Sequence, residues 1–319
     1  MIDRATAAGP APVGTLAAPP VAAPASSATE APGTSVAPRP SGRSSLKLGS
    51  VVSFAAVVVL AIIFSLPTLW LVLTSFKQET EYVSYPIKIL PATPQGFNYY
   101  FALTMFPYLQ YFWNSVVLST AYTVLVVLSS AAAGFGFARH QGVRGRGFLF
   151  GLVMGMMMVP WLVTVVPQYV VFSKLGLLNS YWPWVLWGLS GSPFHIFLFR
   201  QFFASIPKDL DDAAEVDGCG RFRLWWQIYL PNSLPAVAAS AIFAFTWVWG
   251  DWLFPKLFLH DQITTLAVKL QTAYVDPYNQ PLITITMAGV VLYVLPMIVV
   301  FFVAQKLIIQ GVVTTGIKG

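Results

Sequence analysis

Charge is what this 319-residue sequence has least of. Lys, Arg, Asp and Glu together make up 9% of it, against about 25% in soluble globular chains, while apolar residues reach 56%. A soluble fold needs a charged skin, and 18 basic and 12 acidic side chains cannot cover a body of this length. A disordered chain and a nucleic-acid module are excluded on the same ground. Cysteine is nearly absent: Cys219 alone excludes an intramolecular disulfide and any cysteine-based zinc cluster. Catalytic signatures are missing as well. There is no Gly-Lys dipeptide to open a nucleotide-binding phosphate loop, no H-E-x-x-H and no G-x-S-x-G. No catalytic residue, metal site or cofactor is therefore expected on this chain. What stands in place of charge is long apolar sequence, the mark of an all-α integral membrane protein.

Residues 1–46 form a region apart, rich in Ala, Pro, Ser, Gly and Thr, with eight prolines between Pro10 and Pro40. No hydrophobic face can form there, which predicts a disordered tail. Beyond it, residues 47–319 read as one membrane domain. Uncharged stretches run from Gly49 to Phe76, Gly147 to Ser173, Leu175 to Phe199, Leu224 to Gly250 and Pro277 to Gln305. Each exceeds the roughly 20 residues that carry a helix across hydrocarbon. A sixth span lies in the run from Ile89 to Ala138, with Pro91, Pro94, Gly96 and Asn98 as loop and Phe112 to Phe137 as helix. Six transmembrane helices are thus predicted, with kinks at Pro160, Pro167, Pro193 and Pro296. With the N-terminus in the cytosol, thirteen Lys and Arg fall inside and five outside (Lys77, Lys88, Lys174, Lys256 and Lys269). That asymmetry places both termini in the cytosol.

No Lys, Arg, Asp or Glu lies within a predicted span. Proton-driven carriers usually keep a carboxylate at membrane depth, so the pattern demotes secondary transport without removing it. His195 is the one side chain in a span that titrates near neutrality, and it reads as a packed residue bonded to a neighbouring helix. If transport is active, another subunit must hydrolyse the nucleotide.

The loop between the fourth and fifth predicted spans carries the densest information, with nine charged side chains between Arg200 and Arg223. Pro207 suits the first turn of a helix, Asp209, Asp211 and Asp212 suit its positive end, and Gly218 supplies a stop. Leu210, Ala213, Ala214 and Asp217 then share one small-residue face that another backbone can approach closely. Asp211, Asp212 and Glu215 make the neighbouring face acidic. After Gly218, the aromatic residues Phe222, Trp225, Trp226 and Tyr229 recur at helical spacing beside Arg221 and Arg223, a pattern suited to the lipid headgroup layer.

These residues resemble a known family. Asp212-Ala213-Ala214, three residues, Gly218, nine residues, then Ile228-Tyr229-Leu230-Pro231 is similar to the loop signature (the EAA motif) of permease subunits of binding-protein-dependent ABC importers. Asp212 stands where the family usually has Glu, which keeps the charge. The resemblance extends over residues 50–319 and is closest to the carbohydrate-uptake branch, MalG-like. It is carried by Asn114-Ser115, Ala133 to Arg139, Pro160 to Pro167, Gly176 to Asn179, Phe202 to Pro207 and Ala214 to Gly218. Two weaker matches are Trp249 to Pro255, with Gly250 for the usual Asn and Trp252 for Phe, and the ending from Gly311 to Gly319, with Thr315 for Gly.

The resemblance implies a type I ABC importer permease fold and a solute-translocating subunit, most readily for a sugar or oligosaccharide. It implies partners: a second permease, two nucleotide-binding ATPase subunits that hold ATP and Mg, an extracytoplasmic solute-binding protein and membrane lipid. The coupling loop, residues 200–231, would dock on an ATPase through Leu210, Asp212, Ala213, Ala214, Glu215, Asp217 and Gly218, with Ile228, Leu230 and Pro231 anchoring its end. Trp161, Trp187, Trp247 and Trp249 lie within spans and are expected to pack or to stack a sugar ring, and Asp251 to cap or pair. A permease for glycerol phosphate, a polyamine or a peptide, and a stand-alone carrier, remain the alternatives.

Overall fold

A computed structural model describes residues 48–140 and 142–316 of the chain. The 1–46 tail, Lys47, Gln141 and residues 317–319, with the Lys318-Gly319 ending, lie outside the described residues. The contacts divide the chain after Val57. The described part of the first unit is the apolar opening of the first helix; everything below belongs to the second unit, Val58–Gly319.

Fifteen α-helices follow one another among the described residues. The first four are α1 (Leu48–Ser75), α2 (Glu79–Tyr82), α3 (Phe97–Thr104) and α4 (Tyr108–Arg139). Then come α5 (Arg146–Met156), a 3-10 turn (Trp161–Thr164), α6 (Val165–Lys174), α7 (Trp182–Ser190) and α8 (Pro193–Ser205). The loop region holds α9 (Asp209–Val216), α10 (Arg221–Arg223), a π-helical segment (Leu224–Tyr229) and α11 (Leu230–Asn232). The remainder is α12 (Leu234–Trp249), α13 (Leu253–Phe258), α14 (Leu266–Leu270) and α15 (Ile283–Gly316). Among the described residues there is no strand, only an isolated bridge between Val275 and Pro281.

Of the six expected spans, with kinks placed at four prolines, three coincide with continuous helices and the other three are divided between shorter ones. Among the described residues three helices are long and apolar enough to cross a membrane, within α1, α4 and α15, and the number rises to five if two bent pairs each count as one span. The first pair, α5 with the segment from Trp161 to Lys174, turns by 90° at Pro160; the second, Arg221–Asn232 with Leu234–Gly250, turns by 83°. The predicted span from Leu175 to Phe199 divides into α7 and α8 at Gly191, with Pro193 opening α8. Hydropathy measures the apolarity of a run and is blind to its direction, so a bent pair and a straight span score alike. Proline explains two of these breaks, because it gives up its N–H and starts helices readily. Pro67 and Pro296, by contrast, sit inside α1 and α15.

Helix α4 is the hub. Its small and hydroxylated residues, Ser115, Ser119, Ser130, Ala131 and Gly134, are all buried, the composition that lets membrane helices approach closely without a hydrophobic driving force. At Gly134 the approach is extreme, since a Cβ there would lie 2.7 Å from that of Phe199 on α8. On the other side of the chain's length, Glu79 of α2 closes the fold. Its carboxylate accepts the backbone N–H of Ile283 and Thr284 at 3.0 Å each and the Thr284 hydroxyl at 2.8 Å. Those donors are the unsatisfied first turn of α15, and the negative charge matches the positive end of its dipole. Two tyrosines strengthen the same closure: Tyr108 donates to the Gly289 carbonyl and Tyr274 to that of Ala102.

Candidate docking helix and solute cavity

Helix α9 forms where the sequence punctuation predicts. Asp209, Asp211 and Asp212 occupy its first turn. At its end Gly218 takes φ +70, the left-handed region. The Gly218 N–H then bonds the Glu215 carbonyl at 3.0 Å and the Cys219 N–H that of Ala214 at 2.8 Å. This pair of bonds is a Schellman stop, which satisfies two carbonyls the helix would otherwise leave open. Nothing lies within 4 Å of where a Gly218 Cβ would stand. The demand for glycine there comes from the backbone alone.

The predicted small face divides in two. Ala214 is buried and joins Phe135, Ala138, Phe203 and Tyr229 in the protein's own core. Leu210, Asp212, Ala213, Glu215 and Asp217 are exposed, and Val216 beside them is 88% exposed. The accessible residues are therefore Asp209, Leu210, Asp212, Ala213, Glu215, Val216 and Asp217. The periodicity gives the stripe but not its boundary, since one residue of a face four wide has turned inward. Ile228 and Leu230 pack against that core and Pro231 is exposed. The thiol of Cys219 packs half-buried on the same cluster.

The aromatic stripe after Gly218 also divides. Phe222 and Trp226 remain open to the surroundings at 74% and 49% exposure, whereas Trp225 and Tyr229 are buried. The cause is the π-helical segment over Leu224–Tyr229. Its wider turn shifts residues away from the 3.6-residue period on which the stripe was drawn. Exposure leaves Phe222 and Trp226 free to meet a headgroup layer, whereas that expectation is corrected for Trp225 and Tyr229, which are buried.

The tryptophans of the spans part company in the same way. Trp161, Trp187 and Trp247 line a cavity of about 280 Å³ together with Tyr122, Thr164, Gln168, Ser192 and Asp251. A second cavity of about 620 Å³ shares Tyr122, Trp161, Ser192 and Trp247 with it. Trp161 meets Trp247 edge-on at 5.8 Å between ring centres. Trp187 is more deeply seated and packs on Phe172, Trp184, Phe254 and Phe258. Trp249 is elsewhere, 2% exposed and stacked between Phe245 and Tyr293 at 5.4 and 5.2 Å. Its indole N–H donates to the Tyr293 carbonyl, so Trp249 clasps α12 to α15 and lines neither cavity.

Asp251, just beyond the end of the bent span, accepts the N–H groups of Leu253 and Phe254 through Oδ1, the capping role expected of it. Burial pushes its carboxyl above the usual carboxylate range, and those two backbone donors pull it part of the way back. His195 is buried with Nδ1 at 2.9 Å from the Ser240 hydroxyl of α12, the packed arrangement expected of it. Among the described residues no group of three or more His, Cys, Asp or Glu could hold a metal ion.

Residues 126–314 match the family described as binding-protein-dependent transport system inner membrane component. The chain is 32% identical over 272 residues to the arabinooligosaccharides transport system permease protein AraQ of Halalkalibacterium halodurans, covering 84% of this chain and 95% of that one. It is 28% identical over 269 residues to the lactose transport system permease protein LacG of Rhizobium radiobacter, covering 83% and 95%. Its fold is similar to a chain in the crystal structure of a bacterial ABC transporter involved in the import of the acidic polysaccharide alginate. There the TM-score is 0.71 at 19% identity, over 82% of this chain and 97% of the other.

Proposed function

The chain belongs to the binding-protein-dependent transport system inner membrane components, the permease subunits of ABC importers, and we propose that the solute it passes is a sugar or oligosaccharide. As such a subunit it is not an enzyme; ATP is hydrolysed by separate ATPase subunits. The observation that carries the sugar is the cavity where Trp161, Trp187 and Trp247 meet Thr164, Gln168 and Asp251. Indole faces pack on the apolar side of a pyranose ring, while amide, hydroxyl and carboxylate groups fix its hydroxyls. Relatives whose names specify arabinooligosaccharides and lactose support the same class. The differing sugars in those names leave the sugar of this chain to the test.

The finer assembly is part of the proposal. Helix α9 docks on an ATPase through Leu210, Asp212, Ala213, Glu215 and Asp217, its end fixed by Gly218. Ala214, Ile228 and Leu230 hold it to the bundle from behind, and Pro231 ends the anchoring segment. A second permease, two ATPase subunits holding ATP and Mg, and an extracytoplasmic solute-binding protein complete the importer, and both termini of this chain face the cytosol. Nucleotide binding then biases the bundle between inward- and outward-facing packings.

The test is a ligand screen by calorimetry on the importer's solute-binding protein, followed by uptake into proteoliposomes of the whole importer. A sugar that binds and is taken up, with uptake lowered by Trp161→Ala or Trp247→Ala, is the expected result. Tight binding of glycerol phosphate, a polyamine or a peptide with no sugar bound overturns the substrate class and leaves the family membership intact.

A further inference from the structure

The side chain of Arg139, the last residue of α4, is only 4% exposed. A guanidinium is costly to bury and persists only where partners surround it. Here Nη2 donates to the carbonyl of Phe203 at 3.0 Å and also to that of Ile206. These carbonyls belong to the final turn of α8, where intrahelical donors run out. On its other edge Nε lies 3.8 Å from Asp211 Oδ2, in the first turn of α9. The guanidinium carbon sits 4.9 Å from the centre of the Tyr229 ring, and the Tyr229 hydroxyl donates to Asp211 Oδ1. One side chain thus joins four elements: α4, the end of α8, α9 and the π-helical segment.

Two features set this joint apart from ordinary packing. The Nε–H is buried and, among the described residues, has no hydrogen-bond partner. The Asp211 carboxylate faces it from 3.8 Å, beyond hydrogen-bond reach, so a small movement of α9 toward α4 would make a bond this arrangement lacks. Further, the π-helical segment is the irregularity that turns Tyr229 inward onto Arg139 and Asp211, and such segments recur at functional sites.

We propose that Arg139 is a positioning residue of the transport cycle, tying α9 to α4 so that displacement of α9 by an ATPase moves α4 instead of being absorbed in the loop. The proposal rests on α9 being the docking element. Without the tie, α9 would hang from the bundle by Ala214, the Tyr229–Asp211 hydrogen bond and its flanking chain. With it, the hub helix, the end of α8 and the docking helix share one planar, five-donor fork that a lysine cannot reproduce.

The experiment uses the whole importer in proteoliposomes with Arg139→Lys, Asp211→Asn and Tyr229→Phe. The last two keep shape while removing a charge or a hydroxyl. Three quantities are read: co-purification of the ATPase subunits, the melting temperature, and the ratio of ATP hydrolysis with loaded solute-binding protein to that without. The expected result is a ratio lowered about tenfold in Arg139→Lys and about threefold in the other two, in the range by which single mutations shift the coupling between distant sites. The ATPase should stay bound and Tm should hold. A ratio kept within about twofold in all three variants overturns the proposal, and so does a fall in Tm with the ratio kept, which marks a structural role only. Should Arg139→Lys fail to assemble, the two shape-preserving variants decide. Ala213→Leu on the accessible face separates the premises: if it leaves coupling intact the docking reading fails, and if it alone uncouples, only the Arg139 proposal fails.

Discussion

At Gly218 a single φ angle decides whether α9 stops where it does. A side chain in that left-handed region costs about 1–2 kcal/mol, more when it is β-branched. Gly218→Val is expected to unmake the Schellman stop and tilt α9, abolishing receptor-stimulated ATP hydrolysis in complexes that still assemble. The two adjacent alanines should then differ. Ala213→Leu adds bulk to the open face and should reduce coupling with Tm unchanged. Ala214→Leu forces volume into the core beside Phe203 and Tyr229, where overpacking costs about 1–3 kcal/mol, and should lower Tm. Asp212→Glu should be nearly silent, since the residue is exposed and keeps its charge. Normal coupling and Tm in Gly218→Val and Ala213→Leu would reduce α9 to a solvated connector. The stop was legible in the sequence because glycine after an acidic helix is a local signal. The inward turn of Ala214 was not, because it depends on Phe203 and Tyr229, neither of them on α9.

Elements were legible by length and illegible by direction. The helices of α4 and α15 follow from long uncharged runs, and the loop before α3 from its prolines. The 90° and 83° bends do not, since an apolar residue contributes equally to a span and to a segment lying along it. Nor did the π-helical segment announce itself: Leu224–Tyr229 carries no glycine or proline, and its effect shows only in which aromatic residues are buried. In the sequence Arg139 reads as one more basic residue after a long apolar run, because its partners are mainly carbonyls, which every residue has. Contact between α4 and α8 is the element-scale feature most open to test. Gly134→Leu would drive a side chain into Phe199 Cβ at 2.7 Å. Overpacking of this kind costs about 1–3 kcal/mol. The expected outcome is a clear fall in Tm and poor recovery from the membrane, measured by differential scanning fluorimetry; an unchanged Tm would mean α4 and α8 can separate freely.

For the whole molecule the charge asymmetry makes a geographical prediction. Reporters fused at Gly142, Gly220 and the C-terminus should read cytosolic and one near Thr264 external; any reversal removes α9 from the side where an ATPase could reach it. Membership of the membrane class was legible from composition alone, since nothing else carries 56% apolar residues with so little charge. The cavity was only half legible, because tryptophan in a span says apolar and large but not which way it faces. The Glu79 clasp on α15 bears on how the protein is made. A ribosome delivers α2 about 200 residues before the helix it caps, given that Glu79 and Thr284 are 205 positions apart. Until the last helix enters the bilayer, that carboxylate and the α15-facing surfaces of α3 and α4 wait unpartnered, so nascent chains are recognisable as unfinished. Chains truncated before Ile283 should insert yet turn over faster than the full chain in a pulse-chase experiment; equal lifetimes would mean that the arrival of α15 adds nothing to persistence.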